Sequence, residues 1–530
     1  MRSGGEISAL SGRARGYLKD CVRLDTRTLA VFRVFVGLLI LADLLLRSRN
    51  FEFFYTEEGV VPRSLAIELS TDNAFSFYHA TTDPALLLAL FVVQALFAFQ
   101  LIVGYKTRIA MVLSFLFVVS LDHHNPLVTS YADVLFRLLL FWAIFLPLGE
   151  RWSVDAVLSE TPPRGSFVGI ASVMILCQMV YMYVVNAYHK SQSELWTGGE
   201  ATPLVMGLDD MTFLLAPIVR EFPTLLQYGG LTWYYMLWAS PLLILLAGRL
   251  RLPFLLMFVG GHASFAMTVR IGAFAYVALA GLVLFVQTPV WEDAKRLVDR
   301  LGLDRERIAG RASGAAAVAR RFPTVRLNSE RGRWAKSTLY IFAVVLVSFS
   351  MVMLAVAPFL HGGGVVDPDG RFAATEDEVD DVASAFAVSQ PEWSVFAPIP
   401  RTTDRYYVFP ARTADGELID AYNHRELSYD RAHDQLQRQY GTYRERFYMN
   451  SVRRGGFDND VAPQLAEYLC RTYEDDHGVE LTHVNMYAVS EDITLETISA
   501  HDERDRESEL IYKHACGGEG DTEEFEPPDF

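Results

Sequence analysis

The sequence predicts an α-helical polytopic membrane bundle of about nine transmembrane helices, with a small α+β extracytoplasmic domain at its C-terminal end. Three observations carry this expectation. Long apolar runs recur along the first part of the 530 residues, and mean hydropathy is positive (+0.19) despite a net charge of −16. The excess of acid sits at one end: residues 365–530 hold 37 acidic and 15 basic side chains, so the remainder is net basic. Finally, RYYVFPARTADGELIDAYN alternates aromatic or branched residues with polar ones around an Asp-Gly turn, the pattern of a β-hairpin.

A bilayer span needs about 20 apolar residues. Runs of that kind predict spans near 28–47, 84–103, 109–121, 131–148, 168–187, 231–248, 253–269, 271–287 and 337–358. The seventh and eighth are parted only by Arg270, as a tight hairpin or one interrupted element. Residues 1–27 form a polar tail with no cleavage site after the first apolar run, so that run is expected to stay as an anchor. The transmembrane domain is thus expected over 28–290, a basic cytoplasmic linker over 291–336 and the last span over 337–358. The acidic α+β domain follows over 359–515 and a disordered acidic tail over 516–530. Within the domain, helical patterning falls around 428–448 and 460–475, and LTHVNMYAVS reads as a strand.

Orientation follows from the excess of arginine and lysine in cytoplasmic loops. The tail holds Arg2, Arg13, Arg15, Lys19, Arg23 and Arg27, and 288–336 holds 12 basic against 6 acidic residues. Residues 48–83, with two basic and six acidic, fall on the other side. Nine spans then put the N-terminus in the cytoplasm and the acidic domain outside a cell membrane. Six lysines against 41 arginines, with so much acid, is a halophilic composition. The acidic surface excludes nucleic acid as a partner class. Cys21, Cys177, Cys470 and Cys516 form no CxxC, and no metal site is expected; Cys470 and Cys516 either pair outside the cell or stay as free thiols.

Ionisable groups within or beside spans cost free energy and are functional candidates. In the expected topology His123 and His124, His189 and Lys190, and His262 all reach the outer interface, although they come from separate segments. The histidines could orient substrate or shuttle protons, or only cap helices and bond backbone carbonyls. Asp43, Arg33 and Arg137 read as structural partners between helices. Lys190 stands out because this chain otherwise uses arginine for positive charge. Lysine can give up its proton when dry and arginine cannot, so Lys190 is a candidate general base. The plainer reading is a lysine snorkelling at a helix end.

TLAVFRVFVGLLILADLLLRSRNFEFFYTEEGVVPRS, DHHNPLVTSYADVLFRLLLFWAIFLPLGERWSVDA and QMVYMYVVNAYHKSQSELWTGG resemble, in that order, segments of the horizontally-transferred-transmembrane-domain family. QPEWSVFAPIPRTTDRYYVFPARTADGELID resembles the Trp-x-x-Phe-Ala-Pro segment that opens the soluble domain of many members. The family includes vitamin K-dependent gamma-carboxylase. The resemblance implies a membrane enzyme using a reduced quinone, here menaquinone, with Lys190 at the position of the base that activates it. A secreted peptide or protein would be the substrate. It equally allows a non-catalytic accessory role in maturing, exporting or binding such a peptide. The chain departs from the animal carboxylase in having His189-Lys190 for a pair of lysines, and Trp196 one residue further on. Its soluble domain is also much shorter.

Overall fold

The computed structural model describes residues 3–71, 73–301, 317–320, 323, 330–362, 371–517 and 521–528. A tail helix α1 (Ser3–Cys21) leads into α2 (Thr26–Ser48), α3 (Pro84–Val103), α4 (Thr107–His124), α5 (Tyr131–Ala143) and α6 (Ile170–Lys190). Then come α7 (Pro223–Trp238), α8 (Arg251–Thr268), α9 (Phe274–Val283), α10 (Thr288–Arg300) and α11 (Glu330–Gly362), with shorter helical turns between. The starts have local causes. Asp25 caps α2 by accepting from the Arg27 N–H at 2.8 Å, Asp83 caps α3 ahead of Pro84, and Ser130 with Asp133 forms a capping box on α5. Gly104, at φ 71°, ends α3 and turns the chain into α4.

Nine spans are not what the helices support. Among the described residues five are long and apolar enough to cross a bilayer: Thr26–Ser48, Pro84–Val103, Ile170–Lys190, Gly248–Thr268 and Ser337–Ala357. The bent pair α9–α10 would make a sixth. The other expected spans are shortened or charged. α4 carries Arg108 in its first turn and Asp122, His123 and His124 in its last. α5 stops after 13 residues and α7 after 16, each shortly before a proline, Pro147 and Pro241. α9 is 10 residues long, and the chain turns through 93° into α10 at Thr288-Pro289.

Helix ends gather at two opposite faces. At one, the N-terminal tail packs against the bundle: Arg251 donates to the Cys21 carbonyl at 2.6 Å, Gln287 to that of Asp20 at 2.7 Å, and Arg27 pairs with Glu292. β1 (Leu24–Asp25) pairs with β2 (Ser166–Phe167) on the same side. Arg33, two turns into α2, bonds no carboxylate among the described residues; it donates to the carbonyls of Ile102, Leu148, Arg151 and Trp152. The opposite face carries the ends of α2, α4, α6 and α8, and the C-terminal domain sits on it.

That domain opens with α12 (Arg371–Ala385) and then forms one antiparallel sheet. The long β7 (Leu481–Asp492) pairs with β8 (Arg506–Ala515) on one edge, and with β3 (Thr403–Val408) and then β4 (Pro410–Thr413) on the other. β5 (Leu418–Asp420) and β6 (Arg425–Glu426) continue outward from β4. The expected hairpin is β4–β5, turning at Asp415-Gly416; β3 pairs with β7 instead. α13 (Tyr443–Gly455) and α14 (Val461–His477) follow, whereas most of 428–442 is loop. α14 buries Val461, Leu465, Leu469 and Tyr473 on one helical face, and Cys470 is disulfide-bonded to Cys516 after β8. Residues 521–528, from the stretch expected to be disordered, lie against the sheet. Phe525 is 7% exposed, and Arg412 stacks over its ring and pairs with Glu523. Much of the 291–336 linker and all of 363–370 lie outside the described residues.

Candidate functional site

Several groups of buried polar side chains lie where the domain meets the bundle, one of them joining Asp209 and Asp210 to Arg401, Arg431 and Arg504, and two of them hold the candidate residues. The first begins with Asp43 and Arg47, one turn apart on α2 and bonded at 2.7 Å. Arg47 reaches Asp122 at the end of α4 (2.5 Å), which Arg137 of α5 holds from the other side at 2.6 Å. Arg444 of α13 completes the set, bonding Asp43 at 2.5 Å and Asp133 at 2.9 Å. Three arginines thus face three aspartates, and the charges cancel. Beside them His123 Nδ1 meets the Phe75 carbonyl at 3.0 Å, and the His124 ring lies among Tyr55, Tyr78 and His79.

The second group lines a cavity of about 540 Å³, bounded by α6, α7, α8 and the strap 393–396 of the C-terminal domain. Lys190, at the last turn of α6, is 2% exposed. Its Nζ donates to the Val395 carbonyl at 3.0 Å and lies 3.3 Å from the centre of the Trp196 ring. No carboxylate pairs with it among the described residues. One turn earlier Asn186 donates to the carbonyls of Trp393 (2.8 Å) and Val395 (3.1 Å), and Trp196 Nε1 donates to Phe396 O at 2.8 Å. The bundle therefore grips the backbone of the strap at four points. Deeper in the cavity, Tyr183 OH lies 2.8 Å from His262 Nε2, and Trp233, Phe265 and Phe274 surround that imidazole. His262 is 1% exposed and its Nδ1 has no partner among the described residues.

The cavity brings Lys190 and His262 together. His189 does not line it: neighbouring helical residues point about 100° apart, and its ring packs against Tyr188. His123 and His124 lie in the arginine–aspartate region. Sequence reasoning did not single out Tyr183, Trp233 or Trp393. Tyr183 and Trp233 sit among many span aromatics, and only the fold separates lining from packing. Trp393 and Phe396 had a signal in the WSVFAP motif, although nothing in the motif says that it covers a cavity. Among the described residues no cluster of His, Cys, Asp or Glu is placed to hold a metal ion.

The HTTM domain pattern matches residues 22–291, half of the chain, and that stretch contains α2 to α9 together with Lys190 and His262. The chain belongs to the HTTM domain family. No curated protein and no solved structure matches it. The strap 393–396 lies beyond the HTTM domain, so the cavity has HTTM walls and a cover supplied from outside the domain.

Proposed function

We propose that this HTTM protein is a quinol-dependent membrane oxidoreductase or carboxylase, related in chemistry to vitamin K-dependent gamma-carboxylase, with Lys190 as its general base. One observation carries the reading. A buried lysine, held by a carbonyl and a tryptophan face but, among the described residues, by no carboxylate, stands at a largely apolar cavity. Buried charges are normally paired, and an arginine would serve any purely structural need for charge here.

The lining fits a reduced quinone such as menaquinol: aromatic walls for a flat ring, and polar atoms at two places for its oxygens. When bound, a quinol would supply the reducing equivalents and an acidic hydroxyl. Lys190 Nζ accepts the proton of that hydroxyl, with Val395 O and the Trp196 ring fixing where the amine points. His262, its Nε2 engaged by Tyr183, orients the ring through Nδ1. The Trp393–Phe396 strap keeps water out, which strengthens each of these contacts. His189, His123 and His124 stay outside this core and could act on a secreted peptide or protein substrate arriving at the domain face.

The excess of basic residues in the tail and along 288–336 of the sequence supports a cytoplasmic N-terminus and an extracytoplasmic domain. The Cys470–Cys516 bond supports the same orientation, since disulfides persist in oxidising compartments.

The test is oxygen-dependent menaquinol oxidation by the purified protein, with Lys190→Arg beside wild type. The proposal expects turnover in wild type and loss of at least about a hundredfold in the variant, in the range general bases contribute. Absence of wild-type turnover, with no copurifying quinone, would replace it with the accessory role in peptide maturation, export or binding.

A further inference from the structure

We infer that the cavity opens sideways into the bilayer between α7 and α8, and that its ligand is a lipid-soluble molecule with a polar head and a hydrocarbon tail. This deepens the quinol reading by assigning the route and the tail. Leu225, Gly229 and Thr232 on α7, and Met257, Gly260 and Ser264 on α8, line the cavity and are also exposed on the outer surface. Their spacing puts each trio on one helical face. The opposite end is shut: Lys190, Trp196 and Trp393 are 2%, 5% and 0% exposed.

The glycines show that the gap is real. A Cβ on Gly229 or Gly260 would meet no atom within 4 Å. Their neighbours are packed instead: a Cβ on Gly230 would strike Thr202 at 2.1 Å, and one on Gly261 the Trp233 ring at 2.4 Å. Trp233 acts as a strut, its ring 4.9 Å from Phe265 and 5.7 Å from Phe258 across on α8. Around the mouth Tyr228, Tyr235 and Leu256 are 66%, 63% and 56% exposed, a surface suited to lipid, and α8 is of bilayer-spanning length.

Small residues alone would indicate only close helix packing. The second observation is His262, 1% exposed, bordering the cavity with Nδ1 unpartnered among the described residues. An apolar mouth that leads to a dry polar end fits a molecule with a tail and a head. A water-borne solute would come from the domain face, which the strap covers.

Two measurements on the full chain in liposomes test this. Tryptophan quenching reports binding of menaquinone and of its tail-less ring, 2-methyl-1,4-naphthoquinone. Gly260→Leu should weaken the tailed ligand roughly tenfold, about 1.4 kcal/mol, and leave the tail-less one nearly unchanged. Equal weakening of both, or no change in either, overturns the route. Separately, a spin label on Gly260→Cys, with Cys21 and Cys177 replaced by alanine, should collide with dissolved oxygen in preference to a water-soluble nickel chelate. The reverse preference overturns the bilayer mouth. If neither ring binds wild type, the quinol reading fails, and the spin label still decides the mouth.

Discussion

The arginine–aspartate set around Asp122 and the Lys190 cavity, both at the domain face, solve the cost of burial in opposite ways. Around Arg47, Arg137 and Arg444 each guanidinium meets one or more aspartates at bonding distance, and the set joins α2, α4, α5 and α13. Around Lys190 the amine meets a carbonyl dipole and a ring face and, among the described residues, no formal negative charge. Guanidiniums that bridge carboxylates on different helices fix those helices against each other; a lone buried amine fixes little and costs much. The difference teaches that full pairing marks where the domain is held, and deficient pairing marks where a ligand is awaited.

The comparison can be broken at its paired side first. Arg444→Ala removes one of the three cations facing Asp43, Asp122 and Asp133, leaves the buried set with a net negative charge, and should cost about 3–5 kcal/mol, as removal of one buried partner does. Limited proteolysis and thermal unfolding in detergent check this. A loss under about 1 kcal/mol would mean that the set does not hold the domain. Tyr183→Phe sharpens the unpaired side: both His262 nitrogens would then be buried without a partner, for about 1–3 kcal/mol. The same unfolding assay reads it, together with weaker quinone binding.

The smallest effect serves as a control within the domain. Burial, with His477 alongside, holds the His424 imidazole below its ordinary range. The unfolded chain therefore takes up this proton first, and the stability His424 contributes is lost as pH falls below about 6.5. His424→Asn, a residue that tolerates the φ of 51° there, should flatten that loss while leaving quinone binding unchanged. An unaltered pH profile of unfolding would contradict the assignment.

How much of this was legible in the sequence varies by region. Hydropathy located the helices that reach bilayer length, because apolar composition over 20 residues is a local property. It overcounted spans at α4, α5, α7 and α9, where prolines and charged ends shorten the helix inside an apolar run. The β4–β5 turn and β7 were readable from alternation, and β8 was not, since RESELIYKHA opens on four polar residues in a row and shows no apolar alternation. Lys190 stood out by residue choice alone. Its separation from His123 and His124 did not, because both lie at the same face and depth differs from lateral position only in the fold. The strap's role was hidden for the same reason: Val395 and Phe396 contribute backbone carbonyls, which no side-chain pattern encodes.

The central claim is that Lys190 is kept for chemistry and not for stability. Lys190→Met tests it most directly, with thermal unfolding and oxygen-dependent menaquinol turnover measured on the same preparation. The account predicts an unchanged or raised unfolding midpoint, because a buried amine with few polar partners has been removed while Asn186 still donates to the Val395 carbonyl, together with loss of turnover. A midpoint lowered as far as in Arg444→Ala, with turnover falling only in proportion to the folded fraction, would contradict it.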